Sequence, residues 1–470
     1  MRVGTEQDRT RPRQTSPNEI GNTKRGRTAP RHEQPKEKRE RLGCRRVSSK
    51  THRLAASLSA RAELLIRITE GAGSAIPIAV VPFAESGSMP AGDKVGSIVQ
   101  ADLTMSGEFR PLEPSKMLSL PSERSEVYFR DWRMLGQRYV LVGQLTRNGD
   151  RIQARYELFD VNQEKRILGE TAAVPASNLR SLGHHISDRV YEAITGAPGV
   201  FSTKLAYITV SGEGEQTRYR LQVSDVDGKR SKVRLESREP ILSPAWSPDG
   251  KKLAYVSFET GKPVIFVHEL ATGERQKVAD FPGLNSAPAW SADGRSLLMT
   301  LSRDGNAEIY RMDLASRNLT RLTDHWAIDT EAAWDHADRG IYFTSDRSGG
   351  PQLYHMERPG AEPRRITFGS RYNARPRPSP TGDYVYYVHQ RDSAFHIART
   401  NLETGEETVI TRTGSDESPS VAPNGRLLIY ATRQNGEGVL TVVSADGGAA
   451  YSLPASEGEV REPAWGPVTR

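Results

Sequence analysis

Few side chains in this 470-residue chain stand at spacings that do chemistry. His184 and His185 offer two adjacent imidazoles, but no second ligand pair follows at metal-binding spacing, so they read as histidines of a surface or rim. Asp225, Asp227 and Gly228 make a DxDG phrase whose carboxylates suit calcium; the same residues also make a hairpin turn, which is the commoner use of such a phrase. A serine nucleophile would need a GxSxG elbow with a downstream acid and histidine, and the chain has none. HExxH, a Walker loop and paired cysteines are absent too. Cys44 is the sole cysteine, which excludes an intrachain disulfide, and no apolar stretch precedes it as lipidation would require. That leaves Trp246, Trp290, Trp334 and Trp465. They recur at one place in a repeated phrase and so read as packing between repeats rather than as platforms for a ligand.

The phrase itself is PAWSPDGKKLAYVSF at 244 to 258, returning at 288, 332, 376 and 419, with a truncated PAWGP at 463 to 467. Counting on Trp246, Trp290, Trp334, Pro378, Val421 and Trp465, successive copies lie 44, 44, 44, 43 and 44 residues apart. A period of about 40 to 45 suits a four-stranded propeller blade. Within the first copy, strands are expected over Lys252 to Ser257, Pro263 to Leu270 and Arg275 to Ala279, with Ala287 to Ser291 opening the next phrase as a fourth. SerProAspGly at 247 to 250 and AlaThrGly at 271 to 273 supply the Asp acceptors and positive-φ glycines of tight turns. Leu205 to Val210, Tyr219 to Asp225 and Lys232 to Leu235 match the same strands upstream, so one blade precedes Trp246 and five intervals follow. Six blades result, and the last phrase must be completed from the other end of the ring.

Ahead of the repeats lies an α/β region. AIPIAVVPF (75 to 83) reads as a buried strand and Asp93 to Met105 as a helix. Tyr139 to Leu145, Ile152 to Asp160 and Lys165 to Val174 read as a meander. Ser177 is expected to cap a helix that Gly196 ends, with AlaProGly at 197 to 199 as a hinge. The order of parts is therefore a basic leader at 1–61, a short strand region at 62–74, an α/β domain at 75–198 and an all-β six-bladed propeller at 199–470.

Charge is lopsided. Residues 1–61 carry 17 Lys or Arg against 6 Asp or Glu, so the chain's net +7 conceals a remainder of about −4. The folded part is mildly acidic, which argues against nucleic acid as its partner. The leader, poor in aliphatic residues, is expected to be disordered; it reads either as an arm for nucleic acid or anionic lipid, or as an extension from a misassigned start. Ala60, Arg61 and Ala62 form an A-x-A cleavage box, yet LAASLS at 54 to 59 is too short and polar for a signal-peptide core. No stretch reaches the roughly 18 apolar residues that a membrane-crossing helix needs. ELLIRIT at 63 to 69 alternates apolar and polar residues, as an edge strand does, or as a tethered strand that adds to another protein's sheet.

IPIAVVPF, the meander YVLVGQLTRNGDRIQARYELFDV, HHISDRVYEAITGAPGVFSTKLAYI and the phrases SPAWSPDG, FTSDRSGGPQLY and SPSVAPNG together resemble the TolB family of the periplasmic Tol-Pal system, over roughly residues 63 to 470. Family members carry an apolar signal peptide where this chain has its basic leader. The resemblance implies a non-enzymatic periplasmic scaffold that binds the lipoprotein Pal at one propeller mouth and TolA through its N-terminal strand. It also implies support of outer-membrane integrity and of constriction during cell division, with bacteriocins as further users of the mouth. On this chain the TolA-facing strand falls on Glu63, Leu64, Ile66 and Ile68.

The loops before each phrase occupy one position per blade and must converge at one end of the axis. They supply Leu284, Asn285, Ala287, Asp329, Thr330, Glu331, Tyr372, Asn373, Arg375, Asp416, Glu417 and Arg461. Hydrogen-bonding and charged groups around Leu284 and Tyr372 as apolar anchors suit a peptide or loop; solvated turns are the alternative. In the family's pattern Leu284, Ala287 and Thr330 fall on the Pal-facing ring, where a polar residue is more usual than Leu284. A monomer without cofactors is expected, calcium at Asp225 and Asp227 being the one candidate ion. The competing class is a propeller associated with peptide or polysaccharide cleavage.

Overall fold

The structure, a computed structural model of the chain, describes residues 66–68, 75–453 and 458–469. The basic leader, Cys44, the A-x-A box, Glu63 and Leu64 lie outside the described residues.

Six blades of antiparallel strands ring an axis. Blade 2 shows the unit: Ile241–Trp246, Lys252–Ser257, Val264–Glu269 and Arg275–Ala279, in that order from axis to rim. This corrects the expected composition of a blade. The strand that carries PAW pairs with the strand after it, not with the blade before it, because the SerProAspGly turn folds Trp246 back onto Leu253. Asn285–Trp290 accordingly begins blade 3 instead of finishing blade 2. The closure is as expected: Glu459–Trp465, at the end of the chain, pairs antiparallel with Lys204–Ser211 and becomes the innermost strand of blade 1.

The second strand of each blade is buried on both faces by its neighbours, as at Leu253, Ala254, Tyr255 and Val256. Fully burying such a side chain contributes about 1.5–3 kcal/mol, which is why these runs are nearly continuously apolar instead of alternating. The innermost strand is different. It has one paired edge and one edge toward the axis, and each copy slips register once, at Ser243-Pro244, Ala287-Pro288, Glu331-Ala332, Arg375-Pro376, Ser418-Pro419 and Glu462-Pro463. Proline has no N–H to donate, so five of the six bulges place it where no ladder bond is asked of it. The first residue of the bulge takes φ of 48–60° in every blade, a left-handed conformation that side chains other than glycine seldom hold. A bulge re-aims a side chain, and these six aim theirs around the axis.

The α/β domain is a mixed sheet ordered Phe109–Pro111, Ile76–Val80, Tyr139–Asn148, Arg151–Asp160, Lys165–Pro175, with α1 (Val95–Met105), α2 (Phe129–Met134) and α3 (Leu179–Thr195) against it. Ser177 does not cap α3; it sits in a 3-10 turn, and Asn178 occupies the cap position with no side-chain bond. Gly196 ends α3 at φ 74°, as read. The expected hinge at 197–199 is instead packed. Asp188 accepts the Phe201 and Ser202 N–H groups at 2.6 and 3.1 Å. Tyr191, Val200, Phe201, Leu205 and Trp465 share one apolar cluster with the α/β core. A backbone held by a carboxylate and an apolar seam is a joint, not a linker.

His184, read as a surface histidine, is 2% exposed. Its Nδ1 lies 2.8 Å from Asp102 on α1, and Nε2 faces Asp225 of blade 1 at 3.7 Å. Burial opposes its charge, but Asp102 and Asp225 outweigh burial and hold the imidazolium up to about 9. His185 is exposed. Asp225 also receives Lys204 and Arg230, and Arg180 bridges toward Asp227. The DxDG residues are thus engaged by four cations, His184, Lys204, Arg230 and Arg180, and Gly228 N–H closes the turn on the Asp225 carbonyl at 3.0 Å.

Candidate functional site

Glu417–Val421 runs from the mouth to the turn at Asn424, whose side-chain amide donates to the Pro198 carbonyl at 3.1 Å beside the α/β domain. The mouth loops therefore lie at the far end of the axis from that domain.

Of the residues read as mouth contacts, Glu331, Tyr372, Arg375, Asp416, Glu417 and Arg461 line one cavity of about 510 Å³ where blades 5, 6 and 1 meet. Tyr372 stands edge-on to Phe395 with ring centres 5.5 Å apart. Glu417 and Arg461 are exposed, and Arg461 donates to Glu459 at 2.5 Å. Leu284, Ala287 and Thr330 fall on the opposite side of the mouth, in blades 3 and 4; Leu284 is exposed and the other two are half-buried.

Asn285, Asp329, Asn373 and Asp416 are each 0% exposed, which corrects their assignment as contacts. They occupy one position, five residues before the register residue, and each fastens a loop from beneath. Asn285 bonds both the N–H and the carbonyl of Phe281, at 3.1 and 2.8 Å. Asp329 accepts Arg347 at 2.7 Å, and Asn373 joins Gln352 and His389 at 2.9 and 2.8 Å. Asp416 collects the hydroxyls of Thr411, Thr413 and Thr432, while burial pushes its carboxyl up. A buried amide or carboxylate left unbonded would cost about 1–3 kcal/mol, so these bonds fix the loops that carry the exposed residues.

The exposed apolar residues of the mouth were largely missed. Trp326 is 78% and Phe368 68% exposed, with Ile328, Leu284 and Leu242 beside them in the same class of loops. Arg365 lies 4.8 Å over the Phe368 ring, and the His325 ring is tilted 34° to that of Trp326 with centres 5.1 Å apart. These residues lie at the mouth end of blades 2 to 5, and Phe368 lines a second cavity with Arg371, Gln390 and Arg391. Exposed aromatics beside a pocket are the composition of an interface core.

At the floor of the pocket sits the bulge ring. Arg375 donates through Nε to Glu331 at 2.6 Å, through Nη2 to Glu462 at 3.0 Å, and through Nη1 to Ser418. Burial works against its charge, yet Glu462 and Glu331 hold the guanidinium above its ordinary value. The bulge N–H groups of Glu331 and Arg375 donate to Thr300 and Thr344 one blade back, at 3.2 and 3.1 Å. Arg375 thus crosses the axis between the pocket and a channel of about 510 Å³ below it.

The four tryptophans pack at the inner ends of the blades, as expected. Trp246, Trp290 and Trp334 each donate an indole N–H to a backbone carbonyl of the preceding blade, and Trp465 donates to Thr203 at 2.8 Å. No helix among the described residues is long and apolar enough to cross a membrane.

Comparison with known proteins agrees with this architecture part by part. The family model for the TolB amino-terminal domain matches residues 64–167, and that for the TolB beta propeller domain matches residues 191–469. The Tol-Pal system protein TolB of Hahella chejuensis is 54% identical over 410 residues, 87% of this chain and 95% of that protein. The Tol-Pal system protein TolB of Pseudomonas aeruginosa is 53% identical over 403 residues, 85% of this chain and 93% of that one. Among solved structures, the crystal structure of TolB from Acinetobacter baumannii superposes with a TM-score of 0.79 at 41% identity, covering 86% of this chain and 100% of that one.

Proposed function

The chain belongs to the TolB family of Tol-Pal system proteins, and from this we propose that it is a non-enzymatic scaffold of the periplasm, binding the lipoprotein Pal at the propeller mouth. TolA engages its N-terminal strand, and the assembly supports outer-membrane integrity and invagination during division. The protein acts as a monomer, without nucleic acid, and bacteriocins that enter through the system use the same mouth.

The observation that carries this reading is the mouth itself: a pocket of about 510 Å³, with exposed Trp326 and Phe368 on loops of the same end of the ring, and loops fastened from below. A rigid concave surface with aromatic anchors favours a folded partner's loop, because little ordering entropy is lost on binding. For the second contact, Ile66–Ile68 pairs antiparallel with Ala449–Ser452 as a fifth strand at the rim of blade 6, in register Ile66 to Tyr451 and Ile68 to Ala449. Three residues of ladder make a short attachment, which suits a strand that leaves to add to another sheet.

Capture on an immobilised Pal-type lipoprotein domain tests the first contact. Micromolar or tighter binding is expected, and Thr330→Trp, which puts a bulky ring at the mouth, should abolish it while the melting temperature is unchanged. Equal capture by wild type and variant would place the contact elsewhere.

A further inference from the structure

Two residues after each bulge, the innermost strands set a second ring around the axis: Ala245, Ala289, Ala333, Arg377, Ser420 and Ala464. Five of the six are small, and Arg377 is the exception. Its only hydrogen bond among the described residues runs from Nη1 to the carbonyl of Pro376, at 2.8 Å. A guanidinium carries five N–H donors, so four have no protein partner among the described residues, and Arg377 lines the channel. No carboxylate among the described residues makes an ion pair with it: Glu331 and Glu462, the acids nearest in the ring above, are both bound to Arg375. Arg377 is half-buried, and desolvation together with Arg375's charge pushes its guanidinium down from the ordinary value. Glu331 and Glu462 offset its charge only from a distance, with no carboxylate bonded to it.

The neighbouring blade offers a second donor. Ser420 accepts the Trp465 N–H at its Oγ, at 2.9 Å, which leaves the hydroxyl hydrogen free to turn toward the axis. The channel holds about 510 Å³, and a water occupies roughly 30 Å³, so a small anion fits with part of its hydration. From these observations we propose that Arg377 and Ser420 form a binding site for a small free carboxylate inside the axial channel. The guanidinium fork meets the two carboxylate oxygens, as such pairs do, and the Ser420 hydroxyl donates a further bond. Arg375 and its two glutamates stand between this site and the mouth, so the ligand comes from solution through the turn end near Pro248 and Pro380, which are exposed. It is a free anion rather than a side chain of a mouth partner. The proposal is independent of what the mouth binds.

Acetate is the probe, and the indole N–H signals of Trp246, Trp290 and Trp334, which border the channel, are the reporters. In nitrogen-proton correlation spectra of the intact protein at constant ionic strength, these signals should shift and saturate with a midpoint of roughly 1 to 10 mM acetate. Arg377→Gln should weaken the midpoint at least about tenfold and Ser420→Ala about threefold, with melting temperatures recorded to show that both variants are folded. Shifts that stay linear in acetate, or that match in wild type and Arg377→Gln, overturn the site. Should Arg377→Gln not fold, the wild-type titration and Ser420→Ala decide the matter by themselves.

Discussion

Trp246 donates its indole N–H to the carbonyl of Ala464 at 3.1 Å, although 218 positions separate them. The same bond links Trp290 to Ala245 at 3.2 Å and Trp334 to Ala289 at 3.3 Å. The repeated tryptophan is therefore a tie from each blade to its predecessor, and the Trp246 tie crosses the point where the two ends of the ring meet. Replacing Trp246 with Phe keeps most of the apolar area and removes the bond, so unfolding in urea should show a loss of about 1 kcal/mol. A loss below a few tenths would mean that ring packing alone joins the blades.

Arg375 neutralises Glu331 and Glu462 at the floor of the mouth. Arg375→Leu leaves two carboxylates facing one another in a confined space, and stability should fall by about 3 kcal/mol. Adding Glu331→Gln and Glu462→Gln to that variant should recover most of the loss in the same melting experiment. No recovery would show that Arg375 acts through packing.

His184 gives a pH signature. Asp102 on α1 and Asp225 on blade 1 face it, with Arg180, Lys204, Arg230 and Asp227 around Asp225. Because its folded value is raised to about 9, the stabilisation is complete below the unfolded value near 6.5 and drains away as pH rises through about 9. On the order of 3 kcal/mol is involved. Denaturation at pH 6, 8 and 10 should show that decline in the wild type and a flatter profile in His184→Gln; parallel profiles would remove the charge from His184.

Binding and stability should separate at the mouth. Trp326→Ala and Phe368→Ala change exposed groups, so Pal-type capture should weaken about tenfold or more while melting stays within a degree or two. Asn285→Ala and Asp416→Ala should do the reverse, lowering stability by about 1–3 kcal/mol with capture reduced in line with loop disorder. The opposite pattern in calorimetry and melting would return the buried residues to the contact surface.

A chain shortened to begin at Ala75 should lose capture by TolA and keep its melting temperature within a few degrees, since the ladder to Ala449–Ser452 is three residues long. Undiminished capture would leave Ile66–Ile68 as a rim strand and nothing more.

Periodicity made the ring legible: strand spacing, turn residues and the closing PAW phrase are all local and recur six times. What escaped depends on partners distant in sequence or on differences between copies. No pattern told whether the PAW strand pairs forward or backward, because that is settled by the SerProAspGly turn bringing Trp246 onto Leu253. Asn285 and Asp416 looked like mouth polars since their type is polar; their partners, Phe281 and three threonines, lie underneath. His184 looked solitary because Asp102 is 82 positions away. Trp326 and Phe368 lie in loops that every copy has, but neither residue type recurs at its position, so an alignment of repeats passed over them. The φ of 60° at Arg375 has no sign in a residue type that normally avoids it.

Blade 1 receives its innermost strand from Glu459–Trp465. A ribosome therefore delivers Lys204–Ser211 some 250 positions before the strand that must lie beside it. Until Trp465 has emerged the ring is an open arc with an unpaired inner edge at one end. The inner edge of blade 1 stays unpaired until Glu459–Trp465 has been made.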